Sequence, residues 1–180
     1  MNKMSHRCNS DSLTIVLYAH NMAALTFNFE PTMAEPASAI NPGVCNNTAL
    51  RKAARRVTRF YDACMAETGL RATQYTILSL LASRGPTTMA VLADLLSMDR
   101  ATMGHNLRPL ERDGLITIRV GREDRREREV ALSHAGRSTE AKSKPSWQKA
   151  QACFEQEFGR DDALAMRRLM ARIAELDLSS

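Results

Sequence analysis

The stretch DRATMGHNLRPLERDGLITIRVGREDRREREVALSHAG, residues 99–136, changes its hydrophobic period partway along, and that change decides the fold. Between Asp99 and Gly114 the apolar residues Met103, Leu107 and Leu110 recur at four- and three-residue steps, which is one face of a short helix. Asp99 is placed to cap that helix, because its carboxylate accepts orphan N–H groups and sits on the positive end of the helix dipole. Gly114 is placed to end it. Immediately afterwards LITIRV (115–120) alternates with period two, and REVALS (128–133) answers it. The intervening GREDRRE offers Gly121 and Asp124 for a turn, so the pair predicts a β-hairpin with an arginine-bearing tip.

Working outward, Met89, Val91, Leu92, Leu95 and Leu96 form another short apolar helix, with Thr87 or Thr88 as its cap. Ser97-Met98 turns the chain into the Asp99 helix. This is helix–turn–helix grammar, and with the hairpin it makes a winged helix. Upstream, Leu50, Ala53, Ala54, Val57, Phe60, Tyr61, Cys64 and Met65 stripe one face of a long helix that Gly69 stops. A second helix over about 73–83 ends at Gly85-Pro86. Downstream, Pro145 is expected to kink or restart a helix that begins beyond Gly136. A last helix spans about 161–177, capped by Asp161 or Asp162. The predicted order is α-α-α-α-β-β-α-α, a mostly α protein with a small β-hairpin wing (α+β).

Residues 1–43 carry Pro31, Pro36, Pro42 and no sustained period, and read as a mobile extension. The internal Met33 opens a stretch that reads as an ordinary N-terminal tail, so the native start is expected at Met1 or at Met33. Leu13–Phe27 follows a basic start as a signal peptide would, but His20 and Asn21 interrupt it and no clean cleavage site follows. No run of about 18 apolar residues appears, so a cytoplasmic protein with no membrane partner is expected.

The composition agrees. The chain has 180 residues, 44% apolar and 25% charged, which excludes wholesale disorder, collagen-like repeats and coiled-coil rods. Aromatics at 5% and ten methionines suit helix packing better than a β-sandwich. Cys8, Cys45, Cys64 and Cys153 are scattered, and His6, His20, His105 and His134 form no ligand cluster, so no metal and no cofactor is expected. P-loop, GxSxG, HExxH and a contextual GxGxxG are all missing, which argues against an enzyme.

A net charge of +5 favours an anionic partner. The outward positions of the Asp99 helix are Arg100, Ala101, Thr102, His105, Asn106 and Arg108, and the hairpin carries Arg122, Arg125, Arg126 and Arg128. Arginine binds guanine in a bidentate manner, asparagine does so with adenine, and a threonine methyl touches thymine. A guanidinium also suits the focused potential of a narrow minor groove. Charge alone is a weak argument, since residues 119–129 hold five arginines against Glu123, Asp124, Glu127 and Glu129. The combination of cap, turn, Gly114 stop and arginine-tipped hairpin carries the reading of double-stranded DNA binding. The alternative is a helical protein–protein adaptor that uses a degenerate winged helix.

These residues resemble the MarR (multiple-antibiotic-resistance regulator) family of bacterial transcription factors. Leu110-Glu111…Asp113-Gly114-Leu115-Ile116 is similar to the family's L-E-x-x-G-L-I helix exit. Asp124-Arg125-Arg126 resembles its D-x-R wing, Leu132-Ser133…Gly136 its return to helix, and Gly69-Leu70…Thr73-Gln74-Tyr75 its second-helix opening. The resemblance implies a homodimer whose lobe is built from 44–70 and 134–180, with a DNA-binding winged helix over 71–133. It further implies a pseudo-palindromic operator with half-sites about 10–10.5 bp apart, read by both protomers. By the same resemblance Arg126 is the minor-groove contact and Asp124 organises the wing arginines. Repression is the expected sense, because occluding a promoter needs no further partner. Three positions depart from the family pattern: Pro109 inside the reading helix, Gly104 where Thr or Ser is common, and Arg71 where a Thr or Ser cap is common.

The resemblance also implies an effector, a small aromatic acid or phenol, held between lobe and winged helix by Arg55, Arg59, Tyr61, Tyr75, Leu78 and Trp147. The competing reading is that these arginines are solvated and these apolar groups pack the core. A second branch of the family senses oxidants through a cysteine near the start of the first helix. Cys45 is the candidate here, although its spacing to Gly69-Leu70 is about two residues longer than that branch shows.

Overall fold

A computed structural model of the chain describes residues 44–121 and 125–177. The extension at 1–43 with both candidate starts, Met1 and Met33, the Leu13–Phe27 run, Arg122 and Asp124 lie outside the described residues. Six helices and three strands follow in order: α1 (Asn46–Met65), α2 (Ala72–Arg84), β1 (Thr87–Thr88), α3 (Met89–Leu95), α4 (Arg100–Arg112), β2 (Ile116–Val120), β3 (Arg128–Leu132), α5 (His134–Phe158) and α6 (Arg160–Ala174). A 3₁₀ turn, Ala66–Thr68, extends α1 to Gly69, whose φ of 75° lets the chain leave the helix.

The core is built by α2, α3, α4 and the sheet. Ile77, Leu78 and Leu81 meet Leu92, Met103, Leu107 and Leu110, closed by Ile116 and Val130. These are the apolar positions that the 3.6- and 2-residue periods marked. Their polar neighbours stay outside, and burial of apolar area holds the unit together.

The sheet differs from the predicted hairpin by one strand. Its order is β1-β3-β2, all antiparallel, with Thr87 opposite Val130 and Ile118 opposite Val130 from the other side. Two residues are too few to show a period, so Thr87–Thr88 reads only as a cap. Thr88 serves both ends: it closes β1, and its Oγ accepts the Val91 N–H at 3.2 Å to cap α3.

Two helices correct the expectations. Pro145 neither restarts nor interrupts α5, which runs as one 25-residue helix from His134 to Phe158. Burial of Ser143 and Ala150 along it supplies packing that outweighs one lost backbone bond. α6 begins at Arg160, and neither Asp161 nor Asp162 is its cap. The cap position belongs to Gly159, whose φ of 94° joins α5 to α6 through one residue. Both aspartates lie in the first turn, where they favour the helix dipole without closing a cap.

Arg71 has no side-chain acceptor, yet the start of α2 is satisfied. The Arg71 N–H donates to Gln74 Oε1 at 2.9 Å, and the Ala72 N–H donates to Asp62 Oδ1 at 2.8 Å. Asp62 on α1 therefore caps α2 across the 3₁₀ turn, which fixes the angle between the two helices.

Candidate nucleic-acid interface

α4 is held by its buried face and presents the other. Asp99 Oδ1 accepts the Thr102 N–H at 2.7 Å, and Asp99 Oδ2 accepts the Thr102 hydroxyl at 2.7 Å. The predicted cap is therefore present, and it uses the hydroxyl proton of Thr102, leaving that side chain its methyl group and the hydroxyl lone pairs to offer. Arg100, His105 and Arg108 are exposed along the helix. Asn106 is half-buried and folds back, its Nδ2 donating to the Thr102 carbonyl at 2.9 Å and reaching Met98 Sδ at 3.9 Å. α4 runs unbroken through Pro109 to Arg112. At its exit Gly114 takes a φ of 71°, and the Leu115 N–H returns to the Leu110 carbonyl at 2.9 Å.

The Thr102 backbone amide first, and then its hydroxyl, hold the Asp99 carboxyl below the usual carboxylate range. A folded-state pKa below the unfolded one means that the cap's charge stabilises the fold above the ordinary value of about 3.9. That contribution is lost as pH falls through the lowered folded value. Asp99→Asn keeps an acceptor at the cap but cannot titrate. Its melting temperature is expected to fall less steeply than wild type on acidification below about pH 4; parallel acid profiles would contradict the charge at this cap.

The wing stands beside the N-terminus of α4. In the ribbon, Val120 pairs with Arg128 and the Gly121 N–H donates to the Glu127 carbonyl at 3.0 Å. Arg125 and Arg126 are exposed at its tip. A notch of about 100 Å³ between wing and helix is lined by Arg100, Arg126, Arg128, Glu127 and Thr88. Tertiary structure thus brings a cation of the helix to the cations of the wing, and it adds Thr88, a residue that only strand β1 places there.

The expected effector residues divide. Leu78 is fully buried and packs the core. Arg55 and Arg59 are exposed on α1, with Arg59 Nε donating to the Arg55 carbonyl at 3.2 Å, and neither lines the cavities beside them. Tyr75 stacks on Trp147 at 6.0 Å and borders a cavity of about 170 Å³ with it. Burial first, and then the Glu140 charge, raise the Tyr75 pKa. Tyr61 lines a larger cavity of about 340 Å³, walled by Val57, Leu96, Met98, Trp147 and Gln151. Gln151 escaped the sequence reading because its contact with Tyr61 spans 90 residues and no local pattern encodes it. A further polar cavity of about 380 Å³ joins Asp62 and Arg71 to His105, Asn106 and Pro109 of α4.

Cys45 occupies the cap position of α1 and is half-exposed. The Thr48 side chain, followed by the Thr48 amide, lowers its thiol below the ordinary value. Cys64 and Cys153 are half-buried and in no disulfide among the described residues. No helix among the described residues is long and apolar enough to cross a membrane.

Residues 70–127 match the model of the MarR family. No curated relative matches the sequence. Among solved structures, the M. tuberculosis transcriptional regulator MosR in complex with DNA is 30% identical, with a TM-score of 0.66, and the match covers 73% of this chain and 94% of MosR. The repressor CouR bound to a 23-mer DNA duplex is 27% identical, with a TM-score of 0.65 over 77% of this chain and 100% of CouR. CouR from Rhodococcus jostii RHA1 bound to p-coumaroyl-CoA shares the fold at 17% identity, with a TM-score of 0.64 over 79% and 100% of the two chains. With a capped reading helix, a three-stranded wing and a relative of this identity matched over nearly its whole length, the chain belongs to the MarR family of winged-helix transcriptional regulators.

Proposed function

We propose that this regulator is a homodimeric repressor that sets α4 of each protomer in the major groove of a pseudo-palindromic operator and is released by a small aromatic acid or phenol. The observation that carries the DNA reading is the notch where Arg100 of the reading helix meets Arg126 and Arg128 of the wing. One cationic surface there spans the step from major groove to minor groove. MosR and CouR, both seen on DNA, support it at 30% and 27% identity. CouR is also seen with p-coumaroyl-CoA, which supports the pairing of DNA with a small effector.

The dimer reading rests on apolar surface. Leu164, Leu169, Met170, Ile173 and Leu176 on or just beyond α6 are exposed, together with Phe158 at the end of α5 and Leu50 on α1. Solvent-facing leucines and isoleucines at helical spacing are what a second protomer would bury, so segments 44–70 and 134–180 form the lobe and 71–133 the DNA-binding unit. Light scattering tests it, with twice the chain mass as the expected result.

Fluorescence anisotropy on fragments of the promoter beside the gene tests the DNA reading. Affinity is expected to fall steeply as salt rises, because phosphate contacts release counterions; a salt-insensitive complex with protein alone would favour the adaptor. Arg126→Ala is expected to weaken DNA binding by about 1–3 kcal/mol. Unaltered affinity would remove Arg126 from the interface.

A further inference from the structure

We propose that the cavity between α1, α2 and α5 selects an uncharged aromatic ligand bearing a hydrogen-bond donor, a phenol rather than an aromatic carboxylate, and that Gln151 makes the selection. The inference rests on the effector reading above and narrows it to one chemical class.

The argument starts at a chain of hydrogen bonds behind the cavity wall. Tyr61 Oη donates to Gln151 Oε1 at 2.7 Å, and Gln151 Nε2 donates to Glu155 Oε1 at 2.8 Å. Arg167 Nη1 on α6 donates to the same Glu155 oxygen at 2.9 Å. An amide side chain has two ends, and its neighbours decide which way it lies. An ionised carboxylate accepts only, so Glu155 can meet the NH₂ end of Gln151 and not its oxygen. Hydrogen bonds from Gln151 first, and then from Arg167, lower the Glu155 pKa and favour its ionised form. The carbonyl oxygen of Gln151 is thereby fixed toward Tyr61 and the cavity.

The consequence is a wall of acceptors. Gln151 Oε1 has a second lone pair beyond the one Tyr61 uses. Tyr61 has spent its proton on Gln151, and Thr76 has spent its own on the Ala72 carbonyl at 3.0 Å, so both face a ligand with lone pairs. Burial first, and then Glu155, raise the Tyr61 pKa, which keeps that proton in place. The hydroxyls of Thr58 and Thr73 rotate to suit either partner, and Trp147 adds one indole N–H. None of these is a cation. Arg55 and Arg59 line no part of this cavity, and Arg71 faces the adjoining one beside Asp62. A carboxylate entering here would leave water without a counter-charge and, on the side of Gln151, Tyr61 and Thr76, meet lone pairs with lone pairs. A phenolic O–H meets the same wall as a donor, while Val57, Leu96 and Met98 take the ring.

Calorimetric titration of the full chain at neutral pH with a matched pair, 2-naphthol and 2-naphthoate, tests the proposal. Naphthol is expected to bind at least about tenfold tighter, the scale on which an unpaired polar group penalises the wrong ligand. Equal or tighter naphthoate binding overturns the proposal and leaves effector control standing; binding of neither probe also overturns it. Glu155 acts only by positioning Gln151. Glu155→Gln frees the amide to turn, so discrimination should shrink to within about threefold while naphthol still binds. Discrimination unchanged in Glu155→Gln removes Gln151 as the selector. Naphthol that binds without releasing promoter DNA contradicts effector control but not the ligand class, so the two readings fail separately.

Discussion

Gly136→Ala is expected to destabilise the fold by about 3 kcal/mol or more, at the upper end of what overpacking costs. A Cβ added there would overlap the Leu115 carbonyl oxygen, and would stand 2.9 Å from the Leu115 carbonyl carbon and 3.1 Å from Leu132 Cδ2. The backbone at Leu115 cannot step aside alone. Its oxygen accepts the Ser133 N–H at 3.0 Å, and the Ser133 hydroxyl, which donates to the neighbouring Gly114 carbonyl at 2.6 Å, accepts the Gly136 N–H at 2.9 Å to cap α5. Any relief therefore loosens the α4 exit, the start of β2 and the start of α5 together. A melting curve should show a loss of about 6–12 °C for a chain of this size. Gly104→Ala is the control: nothing lies within 4 Å of its Cβ site on α4, and a gain of about 0.5–1 kcal/mol is expected from helix propensity. A Gly136→Ala protein as stable as wild type would show that the α5 crossing is not close-packed.

Leu107→Ala should cost about 2–5 kcal/mol, the range for emptying a leucine site in a core that cannot collapse around it. Leu107 is 0% exposed and sits among Leu92, Met103 and Leu110 under the reading helix. The adjacent Arg108 faces solvent on the same helix. Arg108→Ala should stay within about 0.5 kcal/mol of wild type in stability and act only on DNA affinity. Urea titration separates the two, because Leu107→Ala lowers the midpoint and Arg108→Ala does not. A midpoint unchanged in Leu107→Ala would mean that α4 is not anchored through this residue.

The contrast between these neighbours explains why the two faces of α4 were legible. A 3.6-residue period states which side of a helix is buried, so Met103, Leu107 and Leu110 announced the core, and Arg100, His105 and Arg108 the outer face. Asn106 shows where periodicity stops: its position is outward, but its amide folds back to the Thr102 carbonyl, a choice between rotamers that spacing does not encode. The cavity was less legible still. Arg55, Arg59 and Leu78 sit near it in sequence pattern, yet exposure takes the first two away and the core takes the third. Gln151, Glu155 and Arg167 form its polar backing only because α5 folds against α1 and α6 against α5.

From the amino-acid order alone came the helix–turn–helix, the ribbon that follows it, the Asp99 cap and the family resemblance, because each is written in contacts within a turn or a hairpin. Tertiary structure decided the rest: β1 beside β3, Asp62 capping α2, Gly136 against Leu115, Pro145 inside an unbroken helix, and an amide held between Tyr61 and Glu155. Those features pair groups that are distant along the chain, and the preference of each member is weak until packing brings its partner within reach.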